Sequence, residues 1–387
     1  MSDVLTVLSS LRESVDDDLV PVFFQLEDQW DRKLWHQLTQ TLAELYRDPR
    51  SAPIQVALFE RFISRFESSL NSLAFASFAV ASSEQFATAE ESLTFMKGVA
   101  AKTGKSDDAR VREVHVFVEL RLASLYIQLN QIVPAKKIMD ASKATVDELL
   151  ISDQAILVQY YGVACEYYKH QADYSQYYRY ALLYLAVLDT SLASMDPKQQ
   201  QQRAHDLCIA ALLADKIFNF GELILHPVLR SLQTPEYQWL ADLVSCVNVG
   251  DVLKFQQLRP MFTERSPLLA SALPFLEQKI CLMALCECVF RRQATERTIS
   301  FTSIARETHL QAGAKVEVLV MKAFSLGLMR GLIDEVAKTV SVSWLQPRAL
   351  SLDQMRTMRG RLDQWDSDVK RLGEFMATHG EDVWQAA

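Results

Sequence analysis

From about residue 20 to residue 260, apolar side chains recur at the spacing of an α-helix, and short polar turns interrupt them. One stripe runs Val114, Val118, Leu122, Leu125 and Leu129, then stops at Asn130 and Pro134. A second helix is predicted from Ala135 to about Leu150. A third runs from Ile156 to about His170, with Asp153 at its N-cap, and a fourth from Tyr174 to Leu188 after a break at Ala172 and Asp173. Tyr126 precedes the Asn130 turn as Tyr168 precedes the Ala172 turn, 42 residues further on. Further turns fall at Asn219-Phe220-Gly221 and at Asn248-Val249-Gly250-Asp251. Periods of roughly 34 to 47 residues belong to helical-pair solenoids of the TPR-like kind. One pair cannot bury its apolar face alone, so successive pairs stack.

Composition agrees with helices and narrows the function classes. Apolar residues make up 49% and charged residues 23%, enough for a sizeable core, while only 11 Gly and 11 Pro punctuate the chain. Breaks are expected at Asp48 to Pro53, Lys102 to Asp108 and Met195 to Gln202. The net charge of −8 leaves no chain-wide footprint for nucleic acid. Cys165, Cys208, Cys246, Cys281, Cys286 and Cys288 are scattered through apolar helical stretches and read as reduced, buried thiols. The start of the chain lacks a basic segment followed by an apolar core, and the longest nearly apolar run, Leu73 to Ala81, is too short to span a bilayer. The expectation is a protein of the cytoplasm and nucleus, with no membrane contact.

Near residue 298 the pattern changes. Thr298 to Ser300 reads as a short strand, Phe301 to Thr308 as a short helix and Lys315 to Leu328 as an apolar helix. Two β-like segments follow, Leu332 to Asp334 and Thr339 to Trp344, with Glu335 to Lys338 as their turn and Pro347 as the stop. With Pro274 to Arg291 as its first helix, this is the order of a winged helix. A strand at the edge of such a sheet can pair with a neighbour's strand. Thr339, Val340, Ser341, Val342, Ser343 and Trp344 are the segment expected to do so. The last helix, about Ser351 to His379, carries Met355, Met358, Leu362, Trp365, Val369, Leu372 and Met376 at alternating intervals of 3 and 4. That is a heptad seam, which packs either back on its own chain or on another helix.

Sites for chemistry are absent or poorly formed. Gly98 to Ser106 resembles a phosphate-binding loop, but five residues separate its glycines instead of four, and a helix precedes it where a strand is required. Cys281, Cys286 and Cys288 lack the second short-spaced ligand pair of a zinc site. His226, before Pro227, reads as a helix-end residue. The apolar Lys315 to Leu328 helix offers a DNA groove only Lys315 and Lys322, opposed by Glu317. No catalytic, cofactor-binding or metal-ligating residue is expected, and no enzyme activity.

A helical-repeat solenoid leading into a winged helix and a terminal helix resembles the PCI module, shared by subunits of the proteasome lid, the signalosome and a translation initiation factor. Asn219-Phe220-Gly221-Glu222-Leu223 with His226-Pro227, Glu317 to Ala323, Ile333 to Val336 and Trp344 to Arg348 are similar to the corresponding strings of the non-ATPase regulatory subunit 13 family of the lid. The resemblance covers residues 205 to 370. It implies a mostly α protein in three parts. These are a solenoid over 1–200, a PCI module over 201–349 with its winged helix at about 274–349, and a bundling helix over 350–387. It also implies a non-catalytic assembly role, with other lid subunits joined through winged-helix edges and a C-terminal helical bundle. The solenoid would reach towards a ubiquitin receptor and the deubiquitinase. A subunit of a related PCI complex is the alternative, and a nucleic-acid-binding winged-helix protein a more distant one.

Overall fold

The computed structural model describes residues 2–12, 17–103, 109–149, 153–188, 197–292, 297–310, 314–348 and 352–379. Its contacts divide the chain into two units, Met1–Met195 and Asp196–Ala387.

The first unit is all helix: α1 (Ser2–Arg12), α2 (Val20–Asp31), α3 (Trp35–Arg47), α4 (Ala52–Arg61), α5 (Ser72–Ser83), α6 (Ala89–Thr103), α7 (Ala109–Gln128), α8 (Ile132–Leu149), α9 (Gln154–His170) and α10 (Tyr174–Leu188). Neighbours in sequence pack as neighbours in space, α6 on α7, α7 on α8 and α9 on α10, with α9 also lying on α7. A continuous core of Leu8, Phe23, Leu42, Leu58, Phe62, Val118, Leu120 and Ile156 runs through it.

The repeat signal in the sequence has a backbone cause. After α7, Asn130 takes φ +57° and after α9, Ala172 takes φ +55°. In both turns the next amide reaches back five residues, Gln131 N–H to the Tyr126 carbonyl at 2.8 Å and Asp173 N–H to the Tyr168 carbonyl at 3.1 Å. These are Schellman caps, which satisfy the last carbonyls of a helix and reverse the chain. An Ala in the left-handed region costs about 1 kcal/mol, which the surrounding stack must offset. Asp153 does occupy the N-cap of α9, but its side chain makes no capping bond.

The second unit holds α11 (Pro197–Leu213), α12 (Gly221–Leu225), α13 (Gln238–Val249), α14 (Val252–Arg265), α15 (Pro267–Ser271), α16 (Leu273–Phe290), α17 (Phe301–Thr308), α18 (Ala314–Ser325) and α19 (Leu352–His379). A sheet of β1 (Thr298–Ser300), β2 (Met329–Asp334) and β3 (Thr339–Leu345) completes it. The α13 cap at Gly250 repeats the same device at φ +77°, and here glycine is required twice over. A Cβ at this position would lie 2.6 Å from the backbone of Ala284 in α16. The close approach seats α13 on α16, whose Leu276, Ile280, Met283 and Val289 form the unit's buried centre. In α17, Ser300 caps the first turn through the Ser303 amide, and Ile299, Phe301 and Ile304 point into the same core.

Candidate assembly interface

The terminal helix α19 is the most exposed element of the molecule. Every described side chain from Met355 to Thr378 is exposed. Its 28 residues span about 42 Å at 1.5 Å per residue. That is well beyond the 12–15 residues an isolated helix needs to be even marginal. Pairs on its polar side reinforce it, Asp366–Lys370 at 2.8 Å and Asp368–Arg371 at 2.8 Å, each contributing a few tenths of a kcal/mol. The predicted seam of Met355, Met358, Leu362, Trp365, Val369, Leu372 and Met376 therefore stands in solvent, with Trp365 66% exposed. Phe375, also exposed, widens it by one position that the strict heptad count passed over. A helix folded back on its own chain would bury this stripe, and among the described residues nothing covers it. Eight large apolar side chains on one face are worth on the order of 10 kcal/mol if another surface covers them, before ordering costs.

The segment that follows the sheet is anchored at Arg348. Pro347 ends β3, and Arg348 then turns into the second unit's core, where its guanidinium donates to Glu287 Oε2 at 2.9 Å and to the carbonyl of Asn248. Arg348 and Glu287 are both largely buried, and Glu287 also accepts from Arg291 at 3.1 Å. One side chain thus ties the end of the sheet to α16 and to the α13 cap. Replacing Arg348 by Met leaves Glu287 with only its more exposed partner. The expected cost is about 2–3 kcal/mol of folding stability, measurable as a lower urea midpoint at unchanged m-value.

The sheet corrects one expectation. The strand order is β1-β3-β2, so Thr339–Leu345 is the central strand and not an edge. Its first half pairs on both sides: Ser341 faces Thr298 and Leu332, Val340 faces Ile299 and Ile333, and Thr339 faces Ser300 and Asp334. The Val342 amide is taken by the Arg297 carbonyl at 3.0 Å. Ser343 sits at the bulge between Arg330 and Gly331, donating to the Arg330 carbonyl at 3.1 Å, and Trp344 pairs with Arg330, whose guanidinium lies 4.9 Å from the indole centroid. The hairpin pattern predicted the pairing of β2 with β3. It carried no information on which side of the hairpin the three-residue β1 would add. The outer strands are β1 and β2; on β2 Leu332 is 78% exposed, and Val336 at the hairpin tip is 98% exposed.

The remaining candidate sites resolve into structure. Gly98 to Thr103 lie within α6, and 104–108 fall outside the described residues. The His226 ring nitrogen accepts from the Val228 amide at 3.2 Å, an end cap as expected. Burial raises the pKa of Cys281 and Cys288 and pushes Cys286 up to about 11 against the pull of Arg348. Thiols held protonated are poor metal ligands. Among the described residues, no group of three His, Cys, Asp or Glu side chains could hold a metal ion, and no helix is long and apolar enough to cross a membrane. In α18, Val316, Leu319, Val320 and Ala323 are buried, while Val318 and Met321 face out beside Lys322, which is engaged by Gln278. That outward face presents methyl and thioether groups where groove readout needs donors and acceptors.

Three family models match the chain in succession. Residues 22–244 match the family described as PSD13 N-terminal repeats, 258–344 match the PCI domain and 348–380 match the Rpn9 C-terminal helix. The chain is 36% identical over 391 residues to the 26S proteasome regulatory subunit RPN9 of Saccharomyces cerevisiae, covering 99% of this chain and 98% of the relative. It is 34% identical to the probable 26S proteasome regulatory subunit rpn9 of Schizosaccharomyces pombe, covering 95% and 94%. It is also 34% identical to the 26S proteasome non-ATPase regulatory subunit 13 homolog B of Arabidopsis thaliana, covering 89% and 90%.

Proposed function

Since the chain belongs to the family of 26S proteasome regulatory subunits that includes RPN9 and non-ATPase regulatory subunit 13, we propose that it is a scaffold subunit of the proteasome's regulatory lid, without catalysis of its own, serving ATP- and ubiquitin-dependent protein degradation. The observation that carries this reading is α19. A long helix with a complete apolar seam in solvent has no function within its own chain and suits a bundle of non-identical helices, for which methionine-rich seams are well adapted. Its seam residues, Met355, Met358, Leu362, Trp365, Val369, Leu372 and Met376, are the proposed bundle contacts, with Phe375 added.

The winged helix contributes the second contact. Its proposed partner edge is β2, the longer of the two outer strands, with Leu332 and, at the hairpin tip, Val336 as the exposed apolar elements. The helical repeats of the first unit reach towards the ubiquitin receptor and deubiquitinase region of the same assembly. Six thiols with no disulfide, five of them buried, support residence in the reducing cytoplasm and nucleus. The full-length likeness to proteins named as proteasome subunits favours the lid over the signalosome or the initiation factor.

Affinity purification of the tagged chain in gentle salt, with mass spectrometry of the co-purifying proteins, tests the assignment. Lid subunits, base ATPases and the core peptidase are expected in near-stoichiometric amounts. Recovery of signalosome or initiation-factor subunits in their place, or of nucleic acid released steeply by salt, overturns it.

A further inference from the structure

The first unit carries a groove that the bundle and sheet-edge contacts do not use. It is an open cleft of about 820 Å³ between the end of α4, the turn before α6 and one face of α6. Its floor is aromatic: Phe95 sits edge-on to Phe59 at 5.3 Å and against Phe86 at 5.2 Å. Its rim is acidic. Glu60, Glu90 and Glu91 line it, and none of the three forms an ion pair among the described residues. The only cation lining it, Lys102, is committed to Glu67 at 3.2 Å. The other lysine of α6, Lys97, lies 5.5 Å from the Tyr126 ring centroid of α7. Between the rim and the floor stands Gly98, where an added Cβ would meet nothing within 4 Å. A glycine in mid-helix costs about 1 kcal/mol relative to alanine. Nothing in its own chain requires that concession. What glycine provides here is room.

An aromatic floor under three unneutralised carboxylates is complementary to one kind of occupant. We propose that this groove docks a short basic segment of a partner protein, seating one large apolar side chain on the half-buried Phe86 and Phe95, which the buried Phe59 backs, while its lysines or arginines pair with Glu60, Glu90 and Glu91. The carboxylates set orientation and on-rate, and the aromatic floor supplies the anchoring area.

The probe is a fluorescein-labelled peptide of alternating lysine and phenylalanine, titrated against the full chain by anisotropy. A peptide with glutamate in place of lysine is the control. Binding of the basic peptide is expected to weaken at least about tenfold in Gly98→Leu, which fills the cleft, and similarly in Glu90→Lys with Glu91→Lys. The acidic control is expected not to bind. Unaltered helix content by circular dichroism confirms that each variant is folded, and Gly98→Leu adds helix propensity in open space. No binding to the wild-type chain, equal binding of the acidic control, or full binding by Gly98→Leu each overturns the proposal. Loss in the charge variant alone does so as well, because it would reveal diffuse attraction without an occupied cleft.

Discussion

Replacing Trp365 and Leu372 together by glutamate is expected to exclude the chain from the lid while leaving its own fold intact. Both side chains stand in solvent, so the substitution changes folding stability by no more than about 0.5 kcal/mol. In a helical bundle the same two positions become buried. Each large apolar side chain then contributes about 1.5–3 kcal/mol, and a buried unpaired carboxylate opposes assembly further. The combined loss of about 5 kcal/mol corresponds to more than a thousandfold in affinity. Native electrophoresis of the lid with the tagged variant measures incorporation, and thermal unfolding of the isolated chain measures the fold. Normal incorporation of the double variant would refute the bundle role of α19. A large drop in Tm with incorporation lost would show instead that the seam packs on its own chain.

The contrast between those two readouts exists because α19 was legible in the sequence and its surroundings were not. The 3-4 alternation from Met355 to Met376 specifies a helix and a seam, but no periodicity says whose surface will cover it. The turns at Asn130, Ala172 and Gly250 were legible for a local reason. A Schellman cap needs only a left-handed residue and two backbone bonds, so its signature lies within six residues. The strand order failed for the opposite reason. The partners of β3 on one side, Thr298 to Ser300, lie about forty residues upstream, and three residues carry too little pattern to choose a neighbour. The aromatic groove was hidden in the same way. Phe59, Phe86 and Phe95 converge from α4, a turn and α6, and each alone looks like an ordinary core residue.

Lys279 shows how far a single residue can hide in an apolar run. It lies in α16 between Gln278 and Ile280, and its side chain is almost fully buried. Its ammonium donates to the carbonyls of Ala211 at 2.8 Å, Leu212 at 3.0 Å and Ala214 at 2.7 Å, at the C-terminus of α11. Those are carbonyls that a helix end leaves without internal partners, and a cation there also meets the negative end of the helix dipole. The rings of Phe218, Phe220 and Phe275, at 5.2–5.6 Å, complete the cage. Lys279→Met keeps the volume and orphans the carbonyls, so it is expected to cost about 3–5 kcal/mol in chemical denaturation. The pH dependence separates this role from plain packing. Burial drives the Lys279 pKa down to about 7, with Asp215 pulling it partly back, whereas the unfolded chain titrates at the ordinary 10.5. Between those values the unfolded state binds more protons than the native state, so stability contributed at this site rises with pH from about 7 to 10.5. Three carbonyl acceptors call for three N–H donors, and the neutral amine supplies only two, so the geometry opposes deprotonation and flattens the rise without reversing its sign. The wild-type chain should therefore show a more positive slope of unfolding free energy against pH than Lys279→Met across that window. Parallel slopes would mean that the ammonium keeps its ordinary pKa in the cage, and that three carbonyls and three rings balance its desolvation.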